Sequence, residues 1–500
     1  MMKIFTSLAA VGLILAGGIA ARAQVGAIPY HTLARQADPS DFVVRQDSDL
    51  VSGDQVLRFG GADIPWLGLR SDTGKMADAR LPTDYEIQNA FDTANAMGVS
   101  VVRSRSLAAS VGCALCDLPA VDAGENETIL RAADHVLKLA RDNGIRLILP
   151  LAGGGGDCSK PQKGARVDGD ICVYVRAHGG TDAKLFFTDP VIRAEFNTHV
   201  LTLLNRMNTE TGLYWREDSA IMAFESCDDC AGDVAPALVG KWVADLAALI
   251  HAADSHHLVQ NGAFASRFGR SGSPIATADF APNGVDIVAI SPDPAHLDSV
   301  LDEVTAGNRA VVMDRYDWSA PYFASVDDLD VFLKHVIKRR DLNGALLDNL
   351  SSHADQGGYL SDLAGIESGP SLYFPGIPTK SATLEDMQAR ARAVRRFDYN
   401  ISGILVVPSF SRPARPEIVT DKNGRVVWRG TAGAVNYSIE RTDDAMVQHP
   451  NWTNVCDRCV TDLSGGWQDP ARGKGPAWYR VIPYDANNHL GLPSLPVESK

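Results

Sequence analysis

Thr83-Asp-Tyr-Glu-Ile-Gln-Asn-Ala-Phe-Asp-Thr-Ala-Asn-Ala-Met97, followed at once by Gly98-Val-Ser-Val-Val-Arg103, is the passage on which the fold turns. Residues 84–97 repeat apolar side chains at helical spacing. Thr83 with Glu86 three residues on forms a capping box, in which each side chain satisfies an orphan backbone N–H. The β-branched run that follows, Ser100–Arg105, predicts a strand. Working outward, the same alternation recurs from about residue 56 onward. Strands are predicted over Ala62–Gly68, Ile145–Leu151, Ala220–Ser226, Leu258–Ala263, Val285–Ser291, Ala310–Tyr316 and Gly344–Ser351. Helices are predicted over 127–143, 190–208, 235–253, 296–306, 326–341 and 383–397. Eight strands alternating with helices predict an α/β chain folded as a closed, parallel (β/α)8 TIM barrel. Ligands of such barrels meet the loops at the carboxyl ends of the strands. That directs attention to Arg103, Gly153–Gly156, Glu225 to Asp229, Ser291 to Asp293, Asp314 to Asp317, and Asp348 to His353.

Beyond the barrel, Pro408-Ser-Phe-Ser-Arg-Pro413-Ala-Arg-Pro416 reads as a linker. Short strand-like runs follow at Arg425–Arg429, Val435–Arg441, Trp452–Cys456 and Trp478–Tyr484, broken by turns such as Asn423-Gly424. They predict a small all-β sandwich, with Trp428, Tyr437 and Tyr479 in its core. At the other end, Lys3, the apolar stretch Ile4 to Ile19 and Ala21-Arg22-Ala23 read as a signal peptide cut before Gln24. The expected organisation is therefore a signal over 1–23, a barrel over 24–407, a linker over 408–416 and the sandwich over 417–500. A secreted or periplasmic location follows.

The formal net charge is -14, and removing the signal takes away Lys3 and Arg22 but no acid, leaving -16. An acidic surface argues against nucleic acid and anionic membranes as partners. After the signal no run of about 18 apolar residues is apparent, so no membrane association is expected once it is cleaved. Cys113, Cys116, Cys158, Cys172, Cys227, Cys230, Cys456 and Cys459 make an even set. In an exported chain this favours disulfides of unread connectivity over zinc or redox chemistry. No cofactor and no metal is expected. Gly153–Gly156 lacks the Gly-Lys-Ser/Thr of a phosphate loop. His256-His257 has no helical partner at metal-binding spacing, and Asp228-Asp229 reads as solvated or arginine-paired rather than as a cation site.

Several stretches resemble the endo-β-1,4-mannanases of glycoside hydrolase family 5. Gly98-Val-Ser-Val-Val-Arg103 is similar to that family's second strand, and Ala140-Arg-Asp-Asn-Gly-Ile-Arg-Leu-Ile-Leu149 to its third helix-to-strand passage. Phe186-Phe-Thr-Asp-Pro190, Leu204-Asn-Arg-Met-Asn-Thr-Glu-Thr-Gly212 and Ser219-Ala-Ile-Met-Ala-Phe-Glu225 resemble the approach to the acid/base residue. His257-Leu-Val-Gln-Asn-Gly262, Val285-Asp-Ile-Val288, Gly357-Gly-Tyr359 and Tyr373-Phe-Pro-Gly376 continue the likeness over most of residues 56–400. The C-terminal region resembles fibronectin type III-like modules through Trp428-Arg-Gly, Tyr437-Ser-Ile-Glu-Arg441 and Trp478-Tyr-Arg-Val481.

The resemblance implies a retaining glycosidase, which needs two carboxylates roughly 5–5.5 Å apart, one as acid/base and one as nucleophile. Both positions are altered. The W-E-x-x-N-E motif of strand four is matched by Phe224-Glu225-Ser226-Cys227-Asp228-Asp229, so Asp229 stands at the acid/base position, a methylene short. A misplacement of about 1 Å can lower a rate 10²-fold. The E-[FY]-G of strand seven is matched by Arg315-Tyr316-Asp317, so Arg315 occupies the nucleophile position. A guanidinium stays protonated and has no lone pair to attack with. Ser291 takes the place of a strand-six histidine, and Asp348 that of the strand-eight tryptophan beneath the sugar. Arg103, Glu225, Asp228, Ser291, Tyr316 and Asp348 are expected to line the cleft. Arg103 is open to two roles, ligand contact or an ion pair with Glu225 or Asp229.

Three readings remain at this level. The first is a catalytically impaired barrel that binds a β-linked polysaccharide or oligosaccharide. The second is an active hydrolase pairing Asp229 with a relocated carboxylate, Asp314, Asp317 or Asp293, roughly 6.5–9.5 Å away to admit a water. The third is a scaffold or adhesion protein. Against the second stands the expectation that Arg315 neutralises the acidic cluster by ion pairing, which lowers carboxylate pKa values and spoils a general acid.

Overall fold

The computed structural model describes residues 41–70, 80–109, 123–154, 157–159, 169–268, 275–360, 371–380, 382–420, 425–461, 466–473 and 475–499. The signal-peptide segment, Cys113, Cys116, Gly155, Gly156 and the Asn423-Gly424 turn lie outside them. Eight parallel strands close into a barrel: β1 (Phe59–Asp63), β2 (Val101–Arg103), β3 (Arg146–Pro150), β4 (Ile221–Glu225), β5 (Leu258–Asn261), β6 (Ile287–Ile290), β7 (Ala310–Tyr316) and β8 (Gly344–Leu347). They follow one another in chain order, and β8 pairs with β1 in the register Gly344↔Phe59 to Leu347↔Ala62. Each strand is buried along nearly its whole length, as parallel strands covered by helices must be.

The helices α1 (Asp84–Met97), α2 (Ala123–Asn143), α3 (Pro190–Leu204), α4 (Pro236–Ala253), α5 (Leu297–Val304), α6 (Val326–Lys338) and α7 (Leu384–Ile401) form the outer layer. The predicted capping box of α1 is present in both directions, and Gly98 closes that helix in the left-handed conformation with φ 87. α4 departs from the sequence reading, for it is long and apolar enough to cross a membrane. Here its apolar face is a core face: Val239, Trp242, Val243, Leu246 and Ile250 are buried against the barrel.

The first strand is also corrected, lying several residues earlier than the predicted Ala62–Gly68. Two glycines that look like breakers are its working residues. A Cβ on Gly60 would stand 2.1 Å from the Asp398 carboxylate, and one on Gly61 2.7 Å from the Val101 carbonyl, so close packing demands glycine there. Below the barrel, an antiparallel hairpin of Val43–Gln46 and Asp49–Ser52 places Val43 and Leu50 in one cluster with Phe59, Val101, Ile148, Leu258 and Ile287. The hairpin covers the amino-terminal end and leaves the carboxyl end for the loops.

Residues 408–416 run without regular secondary structure into an all-β region. Glu417–Thr420 pairs with Val426–Arg429. A four-stranded antiparallel sheet follows, in the order Thr453–Val460, Asn436–Thr442, Ala477–Tyr484, Val497–Ser499. Trp428, Tyr437 and Tyr479 are buried in its core, as expected. Disulfides join Cys158–Cys172, Cys227–Cys230 and Cys456–Cys459, and no free cysteine remains among the described residues.

Candidate active site

The carboxyl ends of β1, β2, β4 and β7 converge on a buried knot of opposite charges. Arg103, ending β2, has no exposed side-chain surface. It donates through Nε and Nη2 to the two oxygens of Glu225 at 2.7 and 2.8 Å. The same Nη2 reaches Asp228 Oδ1 at 2.8 Å, and Nη1 reaches Asp63 Oδ2 at 3.3 Å. Gln260 on β5 adds a donor to Glu225 at 3.0 Å. Arg105, two residues past β2, lies 3.3 Å from Asp63 and 3.6 Å from Asp228. Arg315, in β7, completes the knot with Nη1 3.3 Å from Asp228 Oδ1. Of the two roles open to Arg103 the geometry shows the ion pair, with Glu225 and with Asp228 in place of Asp229. Truncating one partner of such a buried pair typically costs 3–5 kcal/mol, because the other charge is left uncompensated.

Asp314 completes the cluster and is bound differently. Its side chain is fully buried, Arg103 Nη2 is 3.9 Å away, and neither oxygen has a hydrogen-bond partner among the described residues. Burial, with Glu225 and Asp228 close by, pushes its pKa up to about 8 against the pull of Arg315 and Arg103. Three guanidiniums thus face four carboxylates, Asp63, Glu225, Asp228 and Asp314, and a proton on Asp314 balances the two. Burial also raises Asp63 and Glu225. Asp228 goes the other way: burial opposes its charge, but Arg315, Arg103 and Arg105 override it and hold the carboxyl well below the usual carboxylate range. Arg315 in turn is held charged by Asp228 despite burial. Carboxylate oxygens of Glu225, Asp228 and Asp314 lie within 4.8 Å of one another, a spacing a cation can bridge. Glu225 and Asp228 already spend those oxygens on guanidiniums, so a cation there has to displace Arg103 and Arg315.

Above the knot opens a cleft of about 580 Å³, whose lining includes Asp229, Ser291, Asp293, Arg315, Tyr316, Asp317, Tyr322 and Asp348. Asp229, Ser291, Asp293, Arg315, Tyr316, Asp317 and Asp348 share this lining; Arg103, Glu225 and Asp228, expected on the cleft wall, instead lie buried beneath it in the knot with Asp314, because their charges are spent on one another. Asp229 sits on a left-handed backbone, φ 50, between Cys227 and Cys230, whose disulfide brackets the turn. Its carboxylate accepts the Ser266 backbone N–H at 3.0 Å and the Ser266 hydroxyl as well. Burial raises its pKa against those two bonds. Asp293 accepts the Ala295 N–H at 2.9 Å and Asp317 the Ser319 N–H at 2.6 Å, so both cap turns. The Ser291 hydroxyl donates to the Arg315 carbonyl at 3.5 Å, and the Asp348 N–H to the Tyr316 carbonyl at 2.9 Å. A larger hollow, about 820 Å³, opens between Asp157–Cys158 and Cys230–Leu238 and contains none of the predicted site residues.

Asp63, Arg105, Gln260 and Ser266 were not singled out from sequence. Asp63 was hidden by the misplaced first strand, which put it near a strand start instead of a strand end. Arg105 ends the predicted second strand, Ser100–Arg105, but the likeness to the family's second strand stops at Arg103. For Gln260 and Ser266 nothing local distinguishes them, because their partners lie 35 and 37 residues away.

Comparisons with known proteins agree with this fold. Residues 178–288 match the family described as GH family 5 beta-mannosidase-like, a segment that contains β4 with Asp228 and Asp229 but stops before Arg315. Over 228 residues the chain is 28% identical to mannan endo-1,4-beta-mannosidase 4 of Oryza sativa subsp. japonica, covering 45% of this chain and 46% of that one. It is 32% identical over 217 residues to the putative mannan endo-1,4-beta-mannosidase 5 of the same plant, covering 41% of each. The chain thus spans less than half the length of these relatives. In fold, the endo-beta-1,4-mannanase of Thermotoga petrophila superposes with a TM-score of 0.53 at 16% identity, over 89% of this chain and 98% of that one. The endo-1,4-beta-mannanase of Rhizomucor miehei gives 0.54 at 16% identity, over 72% and 99%. In sequence over residues 178–288, and in the fold of its closed barrel, the chain is similar to the mannanases of glycoside hydrolase family 5.

Proposed function

We propose that this chain is an exported family 5-type barrel that binds a β-linked, mannan-type polysaccharide in the cleft above β7 without cleaving it. The observation that carries the reading is the ion pair between Arg315 and Asp228, 3.3 Å apart, at the place where a retaining glycosidase needs a free carboxylate. A paired, permanently charged guanidinium supplies neither the nucleophile nor a base. Asp229 adds to the impairment, since both its oxygens serve Ser266. The names of the relatives support a β-mannan as ligand, and the disulfides support an oxidising destination, periplasmic or extracellular. In this reading residues 1–23 are a signal peptide, 24–407 the barrel, 408–416 the connection and 417–500 a fibronectin type III-like module.

A second reading has one observation in its favour: Asp229, Asp293 and Asp317 share the same cleft, as an inverting pair would. Product release from a panel of β-mannans and β-glucans, compared between the mature protein and Asp229→Ala, separates the two, with calorimetric titration of the same oligosaccharides alongside. Binding with no product from either protein is the expected result. Turnover that disappears in Asp229→Ala overturns impairment, and neither binding nor turnover leaves the scaffold reading.

A further inference from the structure

The passage from the barrel to the C-terminal β-region is pinned along its length. Arg395 on α7 donates to the Pro408 carbonyl at 2.8 Å and lies 4.4 Å over the ring of Phe410, which packs on Phe374 with ring centres 5.8 Å apart. A second anchorage forms at Arg429, the end of the strand Val426–Arg429. One guanidinium nitrogen lies 2.6 Å from Asp355 and another 2.6 Å from Glu417, while the group covers the Tyr85 ring at 5.2 Å. The Tyr85 hydroxyl donates to the Gly430 carbonyl at 2.8 Å. Asp355 also accepts from Thr83, the capping residue of α1, at 3.3 Å. Nearby, Gly357 (φ +90) lies so close to the module that a Cβ there would stand 3.0 Å from the Trp428 carbonyl.

Asp355 and Gly357 belong to the loop that leaves β8, and that loop begins with Asp348, a wall of the cleft. Leu350–Ser351 pairs with Leu372–Tyr373, and the turn beyond is closed by its own backbone bonds. Ala354 N–H donates to the Gly358 carbonyl at 2.8 Å, Gly357 to Ala354 at 3.0 Å, and Leu360 to Ser352 at 2.9 Å. We propose that the C-terminal β-module is a fixed brace for this loop, with Arg429 as the positioning residue that acts through Asp355. The alternative role for such a module, a mobile arm reaching for ligand away from the barrel, requires a slack connection and a free face. Here the connection is held by Arg395 and the face is spent on Asp355, Tyr85 and Gly357.

Hydrogen–deuterium exchange on the full chain tests this, comparing wild type, Arg429→Ala, Arg429→Ala with Tyr85→Phe, and Arg429→Lys. Arg429→Ala removes a half-buried ion pair and a cation–π contact together. The amides of Ala354, Gly357 and Leu360 should therefore exchange about tenfold faster in Arg429→Ala, roughly 1.4 kcal/mol of local protection. Those of β4 and β5 should be unchanged. Arg429→Lys, which keeps a cation for Asp355, should restore part of the protection. Unchanged exchange in both alanine variants, or a loss spread evenly over the barrel, overturns the brace. Because the readout needs no glycan, it stands or falls independently of what the cleft binds.

Discussion

Arg315 and Asp314 are neighbours on β7 with opposite electrostatic fates. The arginine is held charged by carboxylates, whereas the aspartate is kept protonated near neutrality because burial leaves its oxygens without donors. This has a measurable sign. A carboxyl raised above its unfolded value keeps a proton in the folded chain between about pH 4 and pH 8 that the unfolded chain has released. Its contribution to stability therefore falls as pH rises through that window and is constant above it. Asp314→Asn removes the slope. Relative to wild type, its melting temperature should gain a few degrees between pH 5 and pH 8 by calorimetry, with the smaller difference at the acid end. A gap that narrows as pH rises would contradict the protonated assignment.

Strands and helices show what periodicity captures and what it misses. The helix Asp84–Met97 and the strand Ala310–Tyr316 begin and end where the sequence patterns place them, because caps and β-branched runs are local signals. β1 was displaced because its glycines are dictated by contacts with Asp398 and Val101, far away in the chain. That one shift hides Asp63 from the predicted site, while the strand ends and the family likeness bring Arg103 beside Glu225 and Arg315 among carboxylates without fixing which pairs form; Asp228, the partner of both arginines, is not among those named for either. The tie between Asp229 and Ser266 is not legible at all, since no periodic feature links the two loops. Tight strand packing of the same kind governs the seam that closes the barrel. A Cβ on Gly344 in β8 would fall 2.2 Å from the Phe59 ring of β1, so Gly344→Ala should cost roughly 1–3 kcal/mol by overpacking. Urea unfolding should show an earlier midpoint at an unchanged slope. An unchanged midpoint would mean the seam has more room than these distances allow.

Among the described residues, carboxyls held below their usual range outnumber those raised in the knot. Burial opposes the charge of Asp228, Glu86, Asp254, Asp286 and Asp469, but arginine, histidine and hydrogen-bond partners override it in each. Groups of this kind contribute stability that is present above their unfolded pKa, near pH 4, and is lost as pH falls through the folded value. Thermal melts at pH 7, 4 and 3 should accordingly show the largest drop between pH 4 and pH 3. A flat profile across that step would mean these partners are screened and contribute little.

The buried knot also bears on how the chain is made. Its members arrive from a ribosome in the order Asp63, Arg103, Arg105, Glu225, Asp228, Asp314, Arg315. When the first four strands have emerged, two guanidiniums face three carboxylates, and the third guanidinium is still some ninety residues from synthesis. A half-barrel must then protonate one of the three, as the finished knot protonates Asp314, or stay open to water. Arg315 reaches Asp228 only once the seventh strand has been made, so the set of cations that holds Asp228 ionised is completed late in synthesis.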